Sequence, residues 1–226
     1  MCGRFALTDD EAALMAFLGF GEGVAIMPRY NIAPTQPIAV LRQEHGARRL
    51  DFARWGLVPS WVEDPQAFSL IINARADGVL DKPAFKNAMK YRRCLVPASG
   101  FYEWKRQGRH KQPYWIHGRG PLAFAGLWET WSDRDGGEID SACIVTVDAN
   151  ATVRPIHDRM PAIILPADFE RWLTAPDPVD AAALLRPAPD DFLEAVQVSD
   201  RVNRAEPDDP GLIQPVAAMR TDLFDA

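Results

Sequence analysis

Cysteine is scarce in this chain: Cys2, Cys94 and Cys143 are the only three in 226 residues. An odd, scattered set with no CxxC spacing excludes a disulfide framework and a zinc knuckle. It fits a reduced, cytoplasmic protein, and nothing in the pattern points to a metal or an organic cofactor. No apolar run reaches the roughly 20 residues that span a bilayer, so no membrane association is expected. The opening Met1-Cys2-Gly3-Arg4-Phe5 lacks a signal-peptide pattern, which puts Cys2 near the start of the mature protein. Internal repeats, low-complexity tracts and a clean linker are missing as well.

An overall excess of positive charge is also absent. The formal net charge of −6 taken alone weighs against nucleic-acid binding. The distribution says more. Residues 1–165 carry 20 Lys and Arg against 18 Asp and Glu, whereas 166–226 carry 5 against 13. The acidity is confined to the C-terminal part, and a local basic surface remains open to the rest.

What is present is an ordinary globular composition, 47% hydrophobic and 25% charged, long enough to bury a sizeable core. Residues 9–19 read as a helix with Thr8 as N-cap and Glu11 completing a capping box. Residues 37–43 and 48–55 read as strands around a turn at His45-Gly46. Residues 81–91 read as a helix with Lys82, Lys86 and Lys90 on one face. Strand-like runs follow at 93–97, 100–105, 114–117, 122–128, 141–148 and 162–165, then helices at 167–173 and 179–185. Without a βαβ rhythm, this predicts one compact α+β domain over 1–226 with curved, barrel-like antiparallel sheets and peripheral helices. The acidic, Pro-rich part from 166 onward should pack on that core.

Position 2 carries a distinctive chemistry. Initiator Met is normally removed before a small residue, leaving Cys2 with a thiol and a free α-amine on adjacent carbons. Their reference pKa values, about 8.5 and about 7.7–8.0, leave a useful fraction of each deprotonated near neutrality. Such a 1,2-aminothiol condenses with an aldehyde to a Schiff base and closes to a thiazolidine. No internal cysteine can do this. Gly3 permits close backbone approach, and Arg4 puts a cation two residues away.

Candidate partners follow from local pattern. In Phe101-Tyr102-Glu103-Trp104, alternation puts Phe101 and Glu103 on one face. A carboxylate among such bulky neighbours is desolvated, its pKa rises, and it suits general-acid work. His157 stands in Pro155-Ile156-His157-Asp158-Arg159-Met160-Pro161, where a carboxylate and a guanidinium follow at once. Asn73 can donate to a sugar or carbonyl oxygen, although locally it reads as a strand-end turn residue. Cations and aromatics interleave at Arg54-Trp55, Trp61, Arg75, Arg92-Arg93, Trp104-Lys105-Arg106 and Arg109-His110-Lys111, a pattern suited to single-stranded nucleic acid. Core tryptophans beside solvated charges account equally well for many of these.

Taken in order, the motifs resemble the SOS-response-associated peptidase (SRAP) family of abasic-site processing proteins. The matching stretches are Met1–Phe5, Arg29–Pro34, Trp55–Trp61, Ile72–Arg75, Arg93–Trp104, Phe124–Trp128 and Ile156–Pro161, with a weaker match at Val198–Asn203. The resemblance implies a covalent thiazolidine between mature Cys2 and a ring-opened abasic sugar in single-stranded DNA, with self-processing at Met1 and a lyase activity through the same Schiff base. It implies proton transfer by Glu103, a hold on the opened sugar by Asn73, and site or phosphate stabilisation by His157. DNA contacts are implied for Arg4, Asn31, Pro34, Trp61, Arg75 and Arg159. A monomer in the cytoplasm, at the nucleoid when bound, is expected. Val62 departs from the family, where a second aromatic often follows the tryptophan. The acidic tail should lie away from the groove. Two other classes stay open: an N-terminal-nucleophile glutamine amidotransferase, which also begins Met-Cys-Gly, and a non-catalytic single-strand-binding module. A cysteine protease acting on other proteins would need a Cys2–His157 pair.

Overall fold

Two long strands organise the molecule. In the computed structural model, which describes residues 2–216, the four short runs expected between 93 and 128 merge into two strands, Arg93–Gln107 and His110–Ser132. The interruptions prove to be a corner, not turns. Pairing shifts between Ala98↔Leu122 and Gly100↔His117, so residues 118–121 bulge out opposite Ser99. A bulge of this kind bends a strand and lets it leave one sheet for another.

In chain order the strands are β1 (Phe5–Leu7), β2 (Glu22–Gly23), β3 (Arg29–Ile32), β4 (Pro37–Glu44), β5 (Ala47–Trp55), β6 (Asn73–Arg75), β7 (Arg93–Gln107), β8 (His110–Ser132), β9 (Glu138–Asp148), β10 (Arg159–Pro161) and β11 (Glu194–Gln197). The helices are α1 (Glu11–Leu18), α2 (Lys86–Tyr91), α3 (Phe169–Thr174) and α4 (Pro178–Ala182). On one side of the corner, β7, β4, β5, β9 and the far half of β8 bond in a closed ring. On the other, β3, β1, the second half of β7, the first half of β8 and β11 make an antiparallel sheet. Ring closure leaves few exposed strand edges. The chain is therefore a single compact α+β domain, with 18% helix and 41% strand. Pairing is mostly antiparallel, but β5–β9, β6–β9 and β2–β5 run parallel.

Local chemistry explains where boundaries differ from expectation. Asp10, not Thr8, caps α1 by accepting from Ala13 N–H at 2.8 Å. Thr8 instead bonds Ser99 Oγ through both backbone and hydroxyl, tying β1 to the corner. The helix expected from 81 starts at Lys86, because Pro83 excludes the helical conformation just before it. Residues 162–165 form only an isolated bridge, Ile163↔Phe124, while the short strand lies at Arg159–Pro161. The expected helix at 167–173 begins as a 3-10 turn led by Pro166 and runs on as α3. The one at 179–185 shifts to α4, capped by Asp177.

The core joins the ring to the outer sheet. Phe5 meets the edges of Trp55 at 5.2 Å and Phe124 at 6.1 Å, and Phe101 meets Phe124 at 6.0 Å. Such edge-to-face pairs add about 0.5–1.5 kcal/mol each beyond area burial. Arg93, one of the residues considered for a basic groove, is buried. It donates to the carbonyls of Met89, Lys90, Trp172 and Ala175 at the ends of α2 and α3. Those carbonyls have no partner within their helices, so the cation is structural. Arg92 likewise pairs with buried Glu129 at 2.7 Å.

Gly100 sits at the corner with no room for a side chain. An added Cβ would lie 2.5 Å from the Ile116 carbonyl oxygen and 2.6 Å from the Trp115 ring. Gly100→Ala should lose about 1–3 kcal/mol, read as a lower urea midpoint at unchanged slope. An unchanged midpoint would mean that the corner can open without cost.

Candidate active site

The second residue of the chain is held from two sides. Beyond Phe5↔Phe101, Tyr102 N–H donates to the Arg4 carbonyl at 2.9 Å, so the chain before β1 runs along the outer half of β7 toward Glu103. From the ring side, Asn73 Nδ2–H donates to the Cys2 carbonyl at 2.8 Å. Asn73 reaches there because β6 pairs in parallel with β9 through Asn73↔Ile144. Its Oδ1 is buried and has no hydrogen-bond partner among the described residues. The outer sheet and the ring thus converge on Cys2, which is fully buried.

Burial dominates the electrostatics. It pushes the Cys2 thiol well above the usual range, and the nearby Glu103 carboxylate pushes it further. Glu103 is itself 2% exposed. Burial holds its carboxyl above the usual carboxylate range, against the opposing pull of His157. The desolvated carboxyl expected from the aromatic run is present. The Cys94 and Cys143 thiols are also buried and raised, and both sit within the ring.

Glu103 and His157 line one cavity of about 590 Å³ with Trp104, Arg106, Lys111, Ile156 and Asn203. His157 Nδ1 receives the Arg159 backbone N–H at 3.0 Å. The Asp158 carboxylate is 3.0 Å from the same nitrogen and 87% exposed. It becomes an ion-pair partner only when the ring is protonated. Among the described residues no cluster of three His, Cys, Asp or Glu side chains is arranged to hold a metal ion. No helix among them is long and apolar enough to cross a membrane.

The residues expected to contact a nucleic acid are dispersed by role. Arg75 is exposed and makes no hydrogen bond from its guanidinium to the described residues. Trp61 is 56% exposed and meets Phe68 edge-on at 5.8 Å. Val62 faces inward and accepts from Trp131 Nε1–H at 2.6 Å. Pro34 is partly exposed beside Thr35, whose φ of 73° is uncommon for a β-branched residue. Arg159 is largely committed to Asp148 and the Thr146 carbonyl.

Arg4 and Asn31 do something unanticipated. Arg4 Nη1 donates to Asn31 Oδ1 and to the Val202 and Arg204 carbonyls. Asn31 is fully buried, and its Nδ2 donates to the Arg204 and Pro207 carbonyls at 2.8 and 2.6 Å. Asn31 therefore clamps the tail and has no surface to offer DNA. The tail, expected to lie away from the groove, runs beside Arg4 and Asn31 over Val202–Pro207 and reaches the cavity wall, while its residues 217–226 lie outside the described ones. Asn203 stands in the cavity wall and accepts from Trp104 Nε1–H, while Asp208 is neutralised by Arg29. Asn203 was legible only as the end of the weak Val198–Asn203 match. Arg106 and Lys111 were visible in the basic pattern, but their juxtaposition depends on strand register.

The fold and site together define a one-domain protein with a buried cysteine at position 2, a desolvated glutamate beside it, and a cavity opening past that glutamate. Residues 1–205 match the SOS response associated peptidase (SRAP) family, and the chain belongs to that family. It is 37% identical over 225 residues to the abasic site processing protein YoqW of Bacillus subtilis, covering 95% of this chain and 99% of that one. It is 31% identical to YedK of Escherichia coli, also named an abasic site processing protein, covering 76% and 79%. A crystal structure of a protein from Bacteroides thetaiotaomicron superposes with a TM-score of 0.88 at 26% identity, covering 96% of this chain and all of that one.

The raised Glu103 carboxyl has a consequence for stability. A folded pKa above the unfolded value means that the native state binds the proton more tightly, so stability falls as pH rises through the titration. Glu103→Gln has no such proton to lose. Its stability relative to the parent should improve from about pH 4 to pH 7, measured by urea unfolding across that range. A constant difference would show that burial does not disfavour the charged carboxyl.

Proposed function

We propose that this protein captures ring-opened abasic sites in single-stranded DNA as a thiazolidine on mature Cys2, after removal of Met1. The observation that carries the reading is the convergence of Asn73 and Glu103 on Cys2 from opposite sheets. The names of the relatives support the same substrate class.

In this mechanism the Cys2 α-amine attacks the sugar aldehyde and one water leaves, forming a Schiff base. Glu103, whose carboxyl is biased by burial toward holding its proton, supplies the proton that the departing oxygen requires, then accepts one as the thiol adds to the imine carbon. That order suits a thiol kept protonated by burial. Asn73 presents its Oδ1, which has no hydrogen-bond partner among the described residues, to a sugar hydroxyl, and His157 stabilises the site or its phosphate. Arg75, the exposed cation, meets the backbone, with lesser contributions from Arg4 and Arg159. Trp61 and Pro34 stack on bases. If the imine instead loses its C2′ proton, the 3′ phosphate leaves and the strand is cut, which is the lyase branch. Self-cleavage at Met1 precedes both.

Incubating the Met1-free protein with a single abasic oligonucleotide should give an adduct of protein plus DNA minus one water by intact mass. Cys2→Ala should abolish it, and Glu103→Gln should slow it by about 10²-fold or more. No adduct despite a free Cys2 terminus, together with glutamine hydrolysis, would move the protein to the amidotransferase class. The rate should fall below about pH 6, where an α-amine of ordinary pKa is almost wholly protonated. A rate that keeps climbing into acid would count against amine attack as the limiting step.

A further inference from the structure

The tip of the β7–β8 hairpin presents an arrangement that the proposed chemistry leaves unused. The hairpin closes at Gln107↔His110 around Gly108, whose φ of 61° suits the tight turn, and Arg109. Register then sets Arg106 directly opposite Lys111. Directly opposed residues on adjacent strands hold their Cβ atoms about 4.5–5.5 Å apart, and like charges there are destabilising. Both side chains are exposed, and neither forms an ion pair with the described residues. Both nevertheless line the cavity that holds Glu103 and His157. Lys105 and Arg109 add positive charge to the same arm.

A repelling cation pair weakens the hairpin unless an anion sits between its members. Among the described residues the one carboxylate in that cavity wall is Glu103, three residues back along the strand, about 10 Å at 3.3 Å per residue. We infer that Arg106 and Lys111 form a clamp for one backbone phosphate of the strand whose sugar is held at Cys2. The inference rests on the proposed function for its ligand and adds a direction to it: the strand leaves the site along the hairpin, on one side of the abasic residue. Arg supplies a planar fork and Lys a mobile point charge, a combination that can grip a phosphate from two sides.

The test uses full-length Arg106→Gln/Lys111→Gln protein and undamaged single-stranded oligonucleotide, with affinity measured by fluorescence anisotropy across a salt series. Affinity should fall roughly tenfold, and the slope of log K against log salt should become shallower by about 0.7, the contribution of one single-strand phosphate. The melting temperature of the protein should hold or rise, because a repulsion has been removed. Oligonucleotides truncated on either side of an abasic site then locate the clamp. The deficit should vanish for one truncation and persist for the other. An unchanged slope, an equal deficit for both truncations, or a lowered melting temperature accounting for the loss would overturn the clamp. So would polyglutamate competing as well as DNA, which would assign the arm to acidic polypeptides. Because the undamaged strand forms no adduct, the salt series decides the clamp even if thiazolidine formation fails, and the truncations decide its direction only where the adduct forms.

Discussion

The pairing of β1 with the outer half of β7 is the contact on which the site depends. It is short, Phe5↔Phe101 and Ala6↔Gly100, yet it threads the start of the chain between two sheets. A terminus of this kind normally frays, because ordering each residue costs about 1–2 kcal/mol of backbone entropy. Here Phe5 is wedged between Trp55 and Phe124, and Asn73 takes the Cys2 carbonyl. The tail closes from outside through Arg4 and Asn31. These contacts hold Cys2 in place between the two sheets.

The same enclosure sets the electrostatics. A glutamate between aromatic neighbours in a sheet is poorly solvated, so its carboxyl keeps its proton to higher pH, and burial raises the adjacent thiol as well, with the carboxylate, once ionised, adding to that rise. The acid comes from β7, the acceptor on Asn73 from β6, and the thiol from the segment that leads into β1. Their convergence requires the corner at Gly100, where β7 leaves the ring, and the parallel docking of β6 on β9. The Ile116 carbonyl leaves no room for a Cβ at Gly100, so a packing constraint from β8 bears on the strand pairing that places Cys2.

The tail alters the charge picture. Taken as composition, the C-terminal part looks like a solvated acidic appendage. In the fold, Asp208 is bound by Arg29 and Asp209 by Arg201, and the segment between Val202 and Pro207 supplies carbonyls that Arg4 and Asn31 require. Among the described residues none of these tail carboxylates forms an ion pair with the hairpin cations Arg106 and Lys111 at the cavity rim.

Much of this was legible before the fold was known, for identifiable reasons. The alternation of Phe101 to Trp104 implies a desolvated Glu103, because strand period and neighbour size are local properties. The aminothiol chemistry of Cys2 needs no fold at all. The ordered motifs carry the family. The roles of Asn31, Arg93 and Asn203 were not legible, nor was the Arg106–Lys111 pair. Each depends on which distant backbone carbonyl or side chain arrives beside it, and that is decided by register and by the corner bulge. A single sequence states which groups are available. Only tertiary structure decides which polar groups lose water together, and burial is what turns an ordinary glutamate and cysteine into a candidate site.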